Sequence, residues 1–148
     1  MAFSPIFGYP QAHEHDAERS VRAGLALVEA VPKLAITAGS PLQVRVGTAT
    51  GLVVVGDLIG AGAAQEQAVV GGTPNLAAHL QALAEPGAVV IAAATRRLTG
   101  GLFDYRDLGT TALKGLDRIP PLRTPGDPLA TQAGAVRVSR SLTALPNR

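Results

Sequence analysis

The apolar residues in the first third of the chain follow the period of an α-helix. Between residues 13 and 31 they recur three or four positions apart on one face, at Ala17, Val21, Leu25 and Val28. Acidic residues gather at the front of this segment, where they suit the positive end of a helix dipole. Because Pro32 follows, we predict one amphipathic helix over residues 13–31.

The next segment has the pattern of short β-strands separated by glycines. Val44 and Val46 alternate with polar neighbours, and residues 52–55 form a continuous apolar run that predicts a buried strand. A glycine-rich stretch over residues 56–62 predicts a hairpin turn before a short strand over residues 68–70. The stretch lacks the Gly-Lys-Ser/Thr ending of a phosphate-binding loop, so a turn is the better interpretation.

A second helix is predicted to begin at a threonine followed by a proline. Thr73 is a suitable N-cap, Pro74 fits the first helical position, and an apolar face continues through Leu76, Leu80 and Leu83. Beyond this helix we predict a buried strand over residues 88–92, a helical turn over 95–99, and strands over 103–108 and 111–114.

This order of elements predicts an α+β fold. Neighbouring strands without intervening helices disfavour a doubly wound sheet and favour a sandwich with the helices on one face of the sheet. Residues 124–148 are rich in Pro, Thr and Ser and show no periodicity, so we predict a disordered tail there. The folded domain is then expected over residues 1–123.

Composition narrows the class of protein. The chain has 148 residues, of which 47% are hydrophobic and none is cysteine, which excludes disulfides, zinc ribbons and thiol catalysis. No apolar run approaches the roughly 20 residues of a membrane helix, so we expect a cytoplasmic protein without a membrane segment. Five of the 13 basic residues follow residue 116 and only 3% of residues are aromatic, so we expect no nucleic-acid partner.

Three stretches carry the most specific information: Arg45-Val-Gly-Thr-Ala-Thr-Gly51, Val53-Val-Val-Gly-Asp57 and Val69-Val-Gly-Gly-Thr-Pro-Asn-Leu-Ala-Ala-His79. With Phe7-Gly-Tyr-Pro and Leu113-Lys-Gly115, they resemble the bacterial branch of the class III adenylate/guanylate cyclase catalytic domain. The resemblance runs from about Phe7 to Arg123, roughly the C-terminal two thirds of such a domain. It implies a ferredoxin-like α+β fold that is truncated at its N-terminus.

The resemblance also implies a reaction and a partner. Members of this family convert ATP or GTP to the 3′,5′-cyclic nucleotide and pyrophosphate, using Mg²⁺ or Mn²⁺. They act as head-to-tail dimers with sites at the interface, so we expect a homodimer or a heterodimer with another cyclase domain. The family's two metal-binding aspartates precede the Phe-Gly-Tyr-Pro segment, so we expect no metal ligand in this chain and impaired activity.

Four positions correspond by resemblance to the rest of the family site. Asn75 stands at the position that contacts ribose and the transition state, and His79 replaces the usual arginine one turn later. Imidazole is shorter than arginine and lacks the guanidinium fork that grips phosphate. Ala68 stands at the base-selecting position without a polar atom to read a purine, and Lys114 corresponds to a lysine that can contact the triphosphate.

Several interpretations remain open from the sequence alone. Asn75 is also ordinary composition for a helix start, and His79 is also explained as a tolerated surface or interface residue. The His13-Glu-His15-Asp motif suggests metal ligands, but positions two apart diverge on a helix, so we favour a helix start. The chain is thus an impaired cyclase-family protein, a non-catalytic regulatory or dimerisation module, or a half-site subunit that complements a full-length cyclase.

Overall fold

A computed structural model describes residues 3–34, 39–57, 67–70, 72–108 and 135–140. Its helices are α1 (Asp16–Ala30), α2 (Gly72–Leu83) and α3 (Ala93–Thr99), and a short 3₁₀ turn at Val31–Lys33 follows α1. Its strands are β1 (Val46–Thr48), β2 (Val54–Asp57), β3 (Gln67–Val70), β4 (Val89–Ala92), β5 (Asp104–Asp107) and β6 (Ala135–Ser139). No helix within the described ranges is long and apolar enough to cross a membrane.

The described strands form two sheets. A four-stranded sheet has the order β1-β4-β6-β5, in which β1 and β4 are parallel and β6 is antiparallel to both of its neighbours. The strands β2 and β3 form a separate antiparallel pair, with Val54 opposite Val70 and Gly56 opposite Ala68. The α+β class predicted from the order of elements is confirmed.

The helices α1 and α2 cover opposite faces of the four-stranded sheet, so the prediction that the helices share one face is wrong. The reason lies in β4, whose four residues are all buried. Val89 and Ile91 pack in one cluster with Val21 and Leu25 of α1. The alternating residues Val90 and Ala92 pack in a second cluster that contains Leu76 and Leu80 of α2. A strand that is apolar on both sides needs a layer on each side.

The predicted disordered tail over residues 124–148 is wrong for residues 135–139. These residues form β6, which lies between β4 and β5 in the middle of the sheet. Val136 and Val138 are 3% exposed and join the α1 cluster, whereas Ala135 is fully buried in the α2 cluster. The alternation is only five residues long, and long-range pairing supplies its stability. The rest of 124–148, apart from Arg140, lies outside the described residues.

The apolar run over residues 52–55 is less buried than predicted. Leu52 is 82% exposed and Val54 is 63% exposed. The reason is that β2 pairs with β3 in the separate two-stranded sheet, whereas the two core clusters lie against the four-stranded sheet. The predicted strand over residues 103–108 is confirmed as β5, whereas the one over 111–114 lies outside the described residues.

Candidate functional site

The start of α2 is anchored to the segment that leads into β2. Thr73 is buried, and its hydroxyl donates a hydrogen bond to the carbonyl oxygen of Leu52 at 3.0 Å. This is not the predicted N-cap role, because α2 already begins at Gly72 and the hydroxyl is directed to a tertiary acceptor. Leu52 was missed by the sequence analysis because it acts through its backbone, which carries no residue-specific signal.

The body of α2 is fixed by its contact with β1. A Cβ atom added at Gly47 would collide with the carbonyl oxygen of Ala77 and the backbone nitrogen of Gln81. The helix backbone therefore rests directly on the strand backbone at this glycine. Leu76 and Leu80, which are 2% and 0% exposed, point from the same helix into the core. Together these contacts determine which side of α2 faces outward.

Asn75 and His79 lie on the outward side of α2. Asn75 is exposed in the first turn, and His79 is half-buried one turn later. Residues four apart on a helix are neighbours on its surface, so the structure brings these two predicted site residues together. Asn75 also lies where unpaired backbone N–H groups give a helix its positive end.

The positive end of α2 is not neutralised by any charged side chain of the helix itself. The helix contains no Asp, Glu, Lys or Arg from Gly72 to Leu83. An exposed carboxamide beside a positive helix end can donate to and accept from a sugar hydroxyl or a phosphate oxygen. The arrangement is thus suited to a polar, anionic group approaching the first turn of the helix.

Of the other two predicted site residues, the structure describes only the position of Ala68. Ala68 lies in β3 opposite Gly56, in the strand that precedes α2. Lys114 lies outside the described residues. A hydroxyl pair that no sequence motif predicts joins the segment after β1 to α3, where the Oγ1 atoms of Thr50 and Thr95 are 2.9 Å apart.

The described residues do not fit a divalent-metal centre. Within the described ranges there is no group of three His, Cys, Asp or Glu side chains that could hold an ion. In the His13-Glu-His15-Asp motif, the Asp16 carboxylate accepts a hydrogen bond from the His13 backbone N–H at 2.6 Å and pairs with Arg19 at 3.2 Å. That carboxylate therefore stabilises the start of α1.

Solved cyclase structures share this fold. The guanylate cyclase domain of RhGC from Catenaria anguillulae, solved in complex with GTP, matches with a TM-score of 0.69 at 20% identity over 90% of this chain. The adenylyl cyclase CyaB from P. aeruginosa matches with a TM-score of 0.70 at 28% identity over 94% of this chain. This chain spans 65% of the first structure and 67% of the second.

Comparison of the amino-acid sequence also finds relatives of this chain. An uncharacterized protein of Rhizobium meliloti (strain 1021) is 38% identical over 100 residues, which is 67% of this chain and 10% of that protein. The family model described as the adenylate and guanylate cyclase catalytic domain matches residues 1–123. Since that match covers most of the chain, this protein belongs to the adenylate and guanylate cyclase catalytic domain family.

Proposed function

We propose that this chain carries the α2 half of a cyclase nucleotide site and is impaired in turnover when it acts alone. The observation that supports this proposal best is the outward side of α2, where an exposed Asn75 is followed one turn later by a half-buried His79. In the family, this side of the helix takes the ribose and the reacting phosphate. The relevant substrate class is therefore ATP or GTP.

Asn75 has the same side chain that the family has at this position. Its carboxamide can hold a ribose oxygen while the positive end of α2 attracts the nucleotide's negative charge. His79 does not keep the chemistry of the arginine, because it cannot offer two parallel N–H donors to a phosphate. Loss of one transition-state donor lowers a rate by about 10²–10³.

Recognition of the base and binding of the metal ions require groups other than Asn75 and His79. Ala68 offers no polar side-chain atom to discriminate adenine from guanine, so we expect no base selectivity from this position. Divalent ions would neutralise the triphosphate when bound. Since the described residues do not fit such ions, we propose that carboxylates of a second cyclase domain hold them. The chain would then act as a half-site subunit.

A complementation assay tests this proposal. The partner is a cyclase catalytic domain that keeps its metal-binding aspartates but has lost the asparagine equivalent to Asn75. With Mn²⁺ and either ATP or GTP, we expect no cyclic nucleotide above a heat-treated control from this chain alone, and a gain when the two are mixed. Asn75→Ala should abolish the gain, and His79→Arg should raise it by about 10².

Gln43→Ala is the matched control, because it removes an exposed carboxamide that lies outside α2. It should leave the gain unchanged. Clear turnover by this chain alone would contradict the impairment. A mixture that shows no gain at any ratio would contradict the half-site role and leave a regulatory or dimerisation module as the remaining function.

A further inference from the structure

The hydroxyl of Thr95 bonds across the molecule to a distant part of the chain. Thr95 lies in the first turn of α3, is fully buried, and has its Oγ1 atom 2.9 Å from that of Thr50. A threonine within a helix often bonds to a carbonyl of its own helix, as Thr99 does with the Thr95 carbonyl in the last turn of α3. The Thr95 hydroxyl instead joins α3 to the residues that follow β1.

The segment that contains Thr50 depends on such bonds for its position. Residues 49–53, here called the connecting segment, lie between β1 and β2 in neither a helix nor a strand, so ladder hydrogen bonds do not hold their backbone. Ala49 packs against the α2 cluster. Thr50 bonds to α3, and the Leu52 carbonyl accepts a hydrogen bond from the Thr73 hydroxyl. The connecting segment therefore links α3 to the start of α2.

The bond from Thr73 holds a part of α2 that the packing on β1 does not reach. The close approach at Gly47 involves Ala77 and Gln81, which lie beyond the first turn of the helix. The N–H groups of a first turn have no acceptor within the helix, so this turn opens more readily than the body. Thr73 lies in the first turn with Asn75, and its buried hydroxyl joins that turn to the connecting segment.

We infer that Thr95 is a positioning residue for the candidate nucleotide site. Its hydroxyl holds Thr50, and the connecting segment carries this constraint to the Leu52 carbonyl, which orients the first turn of α2 through Thr73. Asn75 lies in that turn, so the direction of its carboxamide depends on the position of the connecting segment. The effect on turnover rests on the proposed function, whereas the effect on the first turn of α2 does not.

The chemistry of the site makes its rate sensitive to such positioning. A hydrogen bond weakens steeply when its direction is lost, and Asn75 carries no charge that would act over a longer distance. A displacement of about 1 Å of a group that orients a substrate can lower a rate by about 10²-fold. Thr95 is fully buried, so it acts on the site through other residues and does not itself meet the nucleotide.

Amide exchange tests the structural part of the inference. In the helical pattern the Leu76 N–H bonds to the Gly72 carbonyl and closes the first turn of α2, and the Leu80 N–H reports the next turn. Thr95→Val removes the hydroxyl and keeps the shape of the side chain. In this variant the Leu76 amide should exchange at least about threefold faster relative to the Leu80 amide. Thr73→Val should have the same effect, and the double variant should not exceed the larger single effect, because both changes act through the connecting segment.

Two further variants of α3 are matched controls. Thr95→Ser keeps the hydroxyl and should restore the exchange ratio. Thr99→Val removes the other buried threonine hydroxyl of α3, which bonds within the helix and to Tyr105, so it should change both amides of α2 alike. Circular dichroism verifies the folding of each variant. If Thr95→Val fails to fold, Thr50→Val removes the other hydroxyl of the pair and takes its place in the test.

The complementation assay tests the effect on turnover. In the mixture with the cyclase domain that lacks its own asparagine, Thr95→Val should lower the gain in cyclic nucleotide about tenfold. Thr95→Ser should restore the gain. Thr99→Val should leave the gain unchanged when equal amounts of folded protein are compared, because its hydroxyl does not contact the connecting segment.

The two measurements separate this inference from the proposed function. An unchanged exchange ratio in Thr95→Val would overturn the inference, and so would a gain in turnover that this variant leaves intact. If the unmodified chain gives no gain, the proposed function is contradicted, and the exchange ratio still decides whether Thr95 holds the first turn of α2.

Discussion

The position of α2, and with it the outward placement of Asn75, depends on the missing side chain of Gly47. A methyl group at this residue would meet backbone atoms of Ala77 and Gln81, including the Cα of Gln81 at 3.0 Å. Backbone atoms within a helix cannot move independently of one another, so the helix as a whole would have to shift. The glycine is thus a packing requirement that acts on the candidate site at a distance.

We predict that Gly47→Ala destabilises the protein by about 3 kcal/mol, the upper range for overpacking of a well-packed contact. Gly24→Ala should cost less, about 1 kcal/mol, because its close neighbour is the Cγ1 atom of Val46 and alanine is favoured within a helix. Denaturant titration followed by circular dichroism measures both changes.

Gly101→Ala is the control for these glycine substitutions. A Cβ atom at Gly101 would meet nothing within 4 Å, so the free energy of unfolding should change by less than about 0.5 kcal/mol. Equal losses at Gly47 and Gly101 would contradict the claim that the contact between Gly47 and α2 determines the effect.

Among the elements, α3 is joined to β5 by a hydroxyl pair. Thr99 is 2% exposed, and its Oγ1 lies 2.7 Å from the hydroxyl of Tyr105 and 3.1 Å from the Thr95 carbonyl. Thr99 has a single hydroxyl hydrogen, which it donates to a carbonyl of its own helix, so Tyr105 donates to Thr99. The Tyr105 ring also lies under the Arg96 guanidinium, 5.2 Å from the ring centroid.

We predict that Thr99→Val costs more stability than Tyr105→Phe, about 1–2 kcal/mol against about 0.5–1 kcal/mol. The first change removes a buried hydroxyl that contacts the Thr95 and Arg96 carbonyls and the Tyr105 hydroxyl, whereas the second leaves Thr99 bonded to its helix. A double-mutant cycle should give a coupling of at least about 0.5 kcal/mol. Tyr9→Phe, at a tyrosine that is 48% exposed, is the control and should change little; additive single effects would contradict the pair.

For the whole molecule, the sheet depends on a strand from the end of the chain. The strand β6 supplies the ladder partners of both β4 and β5, and its side chains enter the clusters on both faces. Its far end is tied to α1, where Arg140 pairs with Glu29 at 2.8 Å. Without β6, the strands β4 and β5 would both lose a ladder and the core would lose Val136 and Val138.

We predict that a chain ending at residue 134 loses cooperative unfolding and binds a dye specific for exposed apolar surface. A chain ending at Arg140 keeps β6 and is the matched control, with a sharp thermal transition expected. Val138→Asp in the 148-residue chain should reproduce the loss, since it places a charge in the α1 cluster. A cooperative transition in the shorter chain would contradict the central role of β6.

The sequence by itself determined the parts that local chemistry controls. The helical period of residues 13–31, the all-apolar run of β4 and the threonine-proline start near α2 predicted elements that the structure contains. The three quoted motifs identified the family, because side chains that meet a substrate must be of particular types. They also predicted Asn75 and His79 as site residues; this role stays a prediction, and α2 places the two residues one turn apart on its surface.

Only the tertiary structure decided which face of the sheet each helix covers. It also decided that residues 135–139 belong to the sheet. Finally, it decided that Thr73 bonds to the Leu52 carbonyl and does not cap α2. These outcomes depend on partners far away along the chain. Short strands are stabilised by the ladders and the burial that their neighbours provide, so a five-residue alternation among prolines and serines carries too little local signal. The physical reason is that burial is a property of the assembled layers and not of any one segment.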